Sequence, residues 1–307
     1  MIYDTIIIGG GPAGMTAGIY AARKKLKTLI LTKDIGGQTA WSSDVENYPG
    51  FTMITGAELV ERFEQHVEKF KDFVELRLVT KGVSAITKSD KLFTVSIEGH
   101  KSEKSKTVII AGGKVPRFLG LEGEKKYLNK GVSYCSWCDG PIFSGKDIAI
   151  IGGGNSALDA TINLSKIVKS IVIINITKEL TGDPVLVDKV TTAHNVRILN
   201  DSEALSINGD KFVSSVTLRN HVDKKPITID VEGVFIEAGS LPATSYLENF
   251  VKLNRQGEIR IDKNNMTSVK GIFAAGDITQ IEEKQIIVAS AEGAKAAICA
   301  SKYLARL

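Results

Sequence analysis

Short runs of β-branched residues alternate with helical stretches along this chain. Ile6-Ile7-Ile8 predicts a buried strand, and a helix carrying Ala17, Ile19, Tyr20 and Ala21 follows a glycine-rich turn. Thr28-Leu-Ile-Leu31 predicts the next strand. The pattern returns with a strand at Asp147–Ile151, a helix bearing Leu158, Ile162 and Leu164, and a strand at Ile171–Ile174. Each copy is one βαβ unit. The stretch 74–111, with Leu92-Phe-Thr-Val-Ser-Ile97, suits a small antiparallel meander, and Ala291–Leu307 has helical periodicity.

Both turns carry the same signature. Gly9-Gly-Gly11-Pro12-Ala13-Gly14 and Gly152-Gly-Gly154-Asn155-Ser156-Ala157 each follow a strand and open a helix. The first glycine permits a tight turn, the second lets the backbone approach a pyrophosphate, and the third position, Gly or Ala, lets helix pack on strand. The helix start supplies free N–H donors and partial positive charge for phosphates. A glycine-rich turn without ligand is the alternative, and the strand–helix–strand setting disfavours it. An acidic ribose-binding residue about 20 positions on is not clean in the first copy, where Thr32 and Lys33 precede Asp34.

Val108-Ile-Ile-Ala-Gly-Gly113 with Pro116, and Val234-Phe-Ile-Glu-Ala-Gly239 with Pro242, are matching strand-and-break segments. They predict an α/β chain of two Rossmann-like, three-layer (ββα) nucleotide-binding domains, the second inserted into the first. The first comprises 1–115 and 243–307, the inserted one 116–242. A length of 307 residues also favours two cores over one.

Charge and composition narrow the partners. The net charge of +4 is spread along the chain without a Lys/Arg block, so nucleic-acid binding is not expected. Apolar runs are too short for a membrane span, and no secretory leader is visible. Three cysteines argue against a disulfide-stapled secreted domain and for a cytoplasmic home.

Cys135-Ser-Trp-Cys138-Asp139-Gly140 precedes the second βαβ unit. Zinc would need two further ligands, and the sequence offers only Cys299 and scattered His, so no metal is expected. Inert thiols are possible on spacing alone, but a dithiol/disulfide pair fits better. Asp139 suits either a proton-transfer role or a plain Asp-Gly turn. Cys299, in the small-residue C-terminal helix, reads as a buried core thiol.

Gly9–Gly14, Gly36-Gly37-Gln38, Glu46-Asn47-Tyr-Pro-Gly50, Cys135–Gly140, Gly152–Ala157 and Ala274-Ala-Gly276-Asp277 occur in order along the whole chain. This set resembles the low-molecular-weight thioredoxin reductases and the flavoprotein portion of the alkyl hydroperoxide reductase F subunit. The resemblance implies FAD along Gly9, Gly11, Pro12, Ala13, Gly14, Gly36, Gly37, Gln38, Asn47, Gly112, Gly276 and Asp277, with Gln285 and Ile286 near the flavin ring. It implies Cys138 as the flavin-proximal sulfur, Cys135 as the attacker of a partner disulfide, and Asp139 as acid/base. It also implies a homodimer, and rotation of the inserted domain on linkers 113–116 and 239–242. The length of 307 residues favours thioredoxin or a thioredoxin-like disulfide as the expected partner.

The second turn, with Gly152, Gly154, Asn155 and Ser156, is expected to hold NADH or NADPH. NADPH-using relatives follow the next strand with an arginine cluster, and this chain has Asn175-Ile-Thr-Lys178-Glu-Leu-Thr181. A 2′-phosphate is best held by Arg, whereas Asn175 can bond ribose hydroxyls, so NADH is favoured. Ferredoxin or a reduced deazaflavin is the alternative donor. A flavoprotein electron carrier and a redox sensor are alternative functions.

Overall fold

The elements of the computed structural model are numbered along the chain. The first segment contains β1 (Ile2–Ile8), α1 (Pro12–Arg23), β2 (Thr28–Thr32), α2 (Gly56–Glu68), β3 (Val74–Leu78), β4 (Val83–Ser89), β5 (Leu92–Ile97), β6 (Glu103–Ile110) and β7 (Lys114–Pro116). There follow β8 (Val132–Ser133), α3 (Ser136–Asp139), β9 (Asp147–Ile151), α4 (Asn155–Leu164), β10 (Ser170–Ile174), α5 (Pro184–Thr191) and β11 (Val196–Leu199). Next come β12 (Ser202–Gly209), β13 (Val213–Asn220), β14 (Pro226–Asp230) and β15 (Gly233–Ile236). The last elements are β16 (Ser240–Pro242), β17 (Ile272–Ala274) and α6 (Ile286–Leu304). The structure describes residues 1–42, 45–222, 224–247 and 249–307. Two units result: Met1–Val115 with Leu241–Leu307, and Pro116–Ser240.

In the first unit, β3, β2, β1 and β6 form a parallel sheet. The far edge of β6 is shared: β17 runs parallel along Val108–Ile110, and β5 runs antiparallel along Glu103–Ser105, with β4 beyond it. Alternate side chains of a strand point to opposite faces, and the core divides accordingly. Ile6, Ile8, Leu29, Leu31, Val108 and Ile110 pack toward Phe93 and Val95 of the meander. Ile7, Ile30 and Ile109 pack toward Met15 and Ala17 of α1 and Ala296 and Ala300 of α6. Three layers follow from that alternation. The meander is smaller than the sequence pattern suggested, because β3 joins the parallel edge against β2.

Second-unit strands run in the order β11-β10-β9-β15-β8, all parallel, with β12–β14 as a separate antiparallel meander. The same division recurs. Ile148, Ile150, Ile171, Ile173 and Phe235 meet Ala157, Leu158 and Leu164 of α4. Ala149, Ile151, Ile174, Val234 and Ile236 meet Val213, Val216 and Leu218 of the meander. From β9 the chain winds outward to β10 and β11, while β15 and β8 lie on the other side. The strand order therefore reverses between β9 and β15, and in the first unit between β1 and β6. Ligands of open α/β sheets bind at such switch points, beyond the carboxyl ends of the strands.

Small residues bring α6 onto α1. A Cβ on Gly293 would lie 2.0 Å from the Ala13 carbonyl oxygen, so the two backbones touch where any larger residue would hold them apart. Overpacking of this kind typically costs about 1–3 kcal/mol. Gly293→Ala is therefore expected to lower the urea midpoint, with a loss of about 2 kcal/mol. An unchanged midpoint would contradict the close approach.

Candidate functional site

The two glycine turns are near copies in three dimensions. Gly9 and Gly152 have φ of +119° and +143°, in the range that favours glycine. Gly11 and Gly154 are extended, with ψ of −175° and −176°, and each precedes a helix that takes no side-chain cap there. In both, a later loop folds back to the middle glycine: Gly36 N–H donates to Gly10 O at 2.8 Å, and Thr181 N–H to Gly153 O at 2.7 Å. Space is left where a phosphate would approach. A Cβ on Gly11 would meet only Gly36 O, at 3.7 Å, and one on Gly154 only Thr181 Oγ1, at 3.8 Å. Gly14 is required for packing, since its Cβ would sit 1.9 Å from Gly9 O. Uncapped donors at a helix start, open space and glycine at each close approach fit a dinucleotide pyrophosphate.

Other first-unit candidates line up around this turn. Gly36 and Gly37 both have positive φ, and Asp34 accepts from Gly37 N–H at 3.0 Å, so this acid shapes the loop. Gln38 donates to Lys114 O at 3.4 Å, and Asn47 donates to Gln285 Oε1 at 3.1 Å. Gln285 is the N-cap residue of α6, and Ile286 begins the helix and packs with Val45, Ile54 and Leu59. Pro12 and Ala13 are buried at the start of α1. Gly112 lies against Ile278, and a Cβ on Gly276 would be 3.0 Å from that of Ala13. Burial raises the Asp277 carboxyl above its ordinary range, against the pull of Lys284 and Lys114. Those lysines converge on Glu258, at 3.1 and 3.2 Å. Sequence reading missed this cluster, because its members are scattered along the chain and share no local motif.

In the second unit, Asn155 anchors the loop ahead of α5 by accepting from Asp183 N–H at 2.7 Å, and Ser156 is exposed on the first turn of α4. Asn175 is placed differently from the ribose contact expected of it. It is buried, and its amide donates to Thr177 O, Glu179 O and Asn200 Oδ1 at 2.8–3.0 Å, while its oxygen accepts from Thr177. Its hydrogen-bonding capacity is spent on tying down the loop after β10.

Cys135 and Cys138 form a disulfide. Cys135 caps α3, its Sγ accepting from Cys138 N–H at 3.0 Å, a contact that would favour a thiolate after reduction. Ser133 Oγ accepts from Cys135 N–H at 2.9 Å. Asp139, half-buried, ends α3 and donates its N–H to Cys135 O at 3.1 Å. Ahead of the pair, Tyr134 donates to fully buried Glu124, which also accepts from Leu119 and Leu121 N–H. Burial, then the hydrogen bond to Glu124 and its charge, push the Tyr134 hydroxyl far above its usual range. Cys299 is half-buried rather than enclosed, its thiol raised by burial. Among the described residues no cluster suited to a metal occurs, and no helix is long and apolar enough to cross a membrane.

A family model described as pyridine nucleotide-disulphide oxidoreductase matches residues 3–293. The chain belongs to this family. The alkyl hydroperoxide reductase F subunit, from Staphylococcus epidermidis, is 39% identical over 306 residues, 99% of this chain and 59% of that protein. The chain thus spans little more than half the length of that relative. A thioredoxin reductase of Lactococcus lactis superposes with a TM-score of 0.94 at 33% identity, covering 99% of this chain and 100% of that one. One from T. acidophilum gives 0.92 at 36% identity, covering 98% of both chains. Membership implies a flavoprotein disulfide oxidoreductase with FAD and a nicotinamide nucleotide as cofactors.

The Asp277 environment predicts a pH effect. A carboxyl raised by burial destabilises the fold once ionised, and the penalty disappears as pH falls below the unfolded value. Asp277→Asn should raise the thermal midpoint of the cofactor-free chain at neutral pH, with the gain shrinking toward about pH 4. A midpoint lowered at neutral pH would contradict this.

Proposed function

We propose that this chain reduces the disulfide of a small thioredoxin-like protein, with Cys135 and Cys138 as the exchanging pair. The observation that carries the reading is the disulfide itself, mounted beyond the carboxyl ends of a parallel sheet whose neighbouring turn is built for a dinucleotide. In the reduced chain, the Cys138 amide favours the Cys135 thiolate as nucleophile. Cys135 attacks one sulfur of the partner disulfide, forming a mixed disulfide and releasing the partner's other sulfur as a thiolate. Asp139 protonates that leaving group. Asp139, now a carboxylate, takes the Cys138 proton; the Cys138 thiolate attacks Cys135 Sγ, displaces the second partner sulfur as a thiolate that takes a proton from solvent, and restores the disulfide. Two electrons have passed from the cysteine pair to the partner.

When bound, FAD supplies the electron pair that returns this disulfide to a dithiol. Residues 1–115 and 243–307 form its domain in this reading. The glycines of 9–14, 36–38 with Asn47, and 276–277 with Gly112 would hold it, and Gln285 and Ile286 would lie toward the ring. Within 116–242, Gly152, Gly154, Asn155 and Ser156 would hold the nicotinamide nucleotide. NADH is proposed over NADPH, because the exposed stretch Ile176-Thr-Lys178-Glu179 offers one lysine and no arginine to a 2′-phosphate. Asn175 supports that stretch from beneath. A cytoplasmic homodimer completes the proposal.

Cys138→Ser tests it. The variant should stay yellow with FAD and lose NADH-driven reduction of thioredoxin to background. Turnover equal to that of the unaltered chain would overturn the assignment.

A further inference from the structure

The two units are repeats, and one position differs in a way that packing does not demand. Ala111 follows β6 and Glu237 follows β15, each at the strand end beside a glycine turn. Ala111 N–H donates to Ile8 O at 2.8 Å, and Glu237 N–H to Ile151 O at 2.9 Å. A Cβ on Gly9 would meet Ala111 O at 2.2 Å, and one on Gly152 would meet Glu237 O at 2.2 Å. The backbone task is therefore identical, and alanine performs it in the first unit. The carboxyl in the second unit is an addition.

Its surroundings explain where it acts. β15 lies between β9 and β8, with Ile236 paired to Ile151 on one side and Phe235 to Ser133 on the other. Continuing the β8 register by two residues brings Glu237 level with Cys135. The backbone N–H of Ser136, the residue after Cys135, faces the carboxyl and favours its ionised form against burial. We propose that Glu237 is a positioning residue for the redox pair: it anchors the Ser136 amide, and the proton it carries decides how readily Cys135 becomes a thiolate. The significance of this rests on the disulfide-exchange reading above, but the chemistry needs neither donor nor partner.

Burial pushes the Glu237 carboxyl up to about 8; the Ser136 amide opposes the rise and Asp159 on α4 adds to it. The other charged or titratable groups on neighbouring elements are Asp139 on α3, the cysteines themselves, the Glu124–Tyr134 pair ahead of them, and Asp147 at the far end of β9. No Lys or Arg occurs on α3, α4, β8, β9 or β15. Below its titration the carboxyl is neutral and a Cys135 thiolate forms unopposed. Above it, a second negative charge, level with Cys135 by the β8–β15 register, raises the pH needed to form that thiolate.

The test is the rate at which iodoacetamide labels Cys135 in the full, reduced, FAD-loaded chain, read by peptide mass spectrometry across the pH range. Cys299 serves as the internal reference. Glu237→Gln should match the unaltered chain within about twofold near neutral pH and react at least about threefold faster near pH 9. In the unaltered chain alone, the Cys135 profile should depart from a single ionisation curve near pH 8, which keeps the test decisive if the variant fails to fold. Superimposed profiles, or a uniform offset at every pH, would overturn the proposal. Failure of thioredoxin reduction with divergent labelling profiles would count against the partner and leave Glu237 in place.

Discussion

At each switch point a carbonyl oxygen occupies the space where a side chain would begin. Ala111 O does so at Gly9 and Glu237 O at Gly152, both at 2.2 Å from an ideal Cβ. Everything at the two candidate nucleotide sites depends on that contact. It forces glycine with positive φ at the strand end, the sharp turn sets the next helix start beside the crevice, and the uncapped N–H groups face the opening. A side chain at either glycine would push the strand ends apart and misalign the donors.

The repeats use the same frame for different tasks. In the first unit the frame is extended by Asn47, Gln285 and the Lys114–Glu258–Lys284 cluster around Asp277, a long polar edge suited to an extended cofactor. In the second unit β8, next to β15 beyond the switch point, leads into the Cys135–Cys138 disulfide. The two units share a backbone device and differ in the side chains hung on it, so fold alone assigns neither task.

Much of this was legible in the sequence. Ile6–Ile8 with Gly9–Gly14, and Asp147–Ile151 with Gly152–Ala157, marked both βαβ units, because a continuous apolar run and a glycine fingerprint are local signals. The cysteine spacing was equally local. The second meander, β12–β14, went unread because its strands are half-exposed, and β12 mixes polar with apolar residues and is broken by register shifts between Ala204 and Ser206 and between Asn208 and Gly209. Asn175 was placed at the ribose from its position after a strand, but hydrogen bonds to Thr177, Glu179 and Asn200 turn it inward. Glu237 and the Lys114–Glu258–Lys284 cluster arise from register and long-range packing, which no spacing along the chain encodes.

The most direct test is an anaerobic titration of the FAD-loaded chain with NADH and then NADPH, following flavin absorbance and the free-thiol count together. The account predicts bleaching by NADH at lower concentration than by NADPH, with the Cys135 and Cys138 thiols appearing beyond that of Cys299. A flavin that bleaches only with dithionite, leaving the disulfide intact, would contradict it.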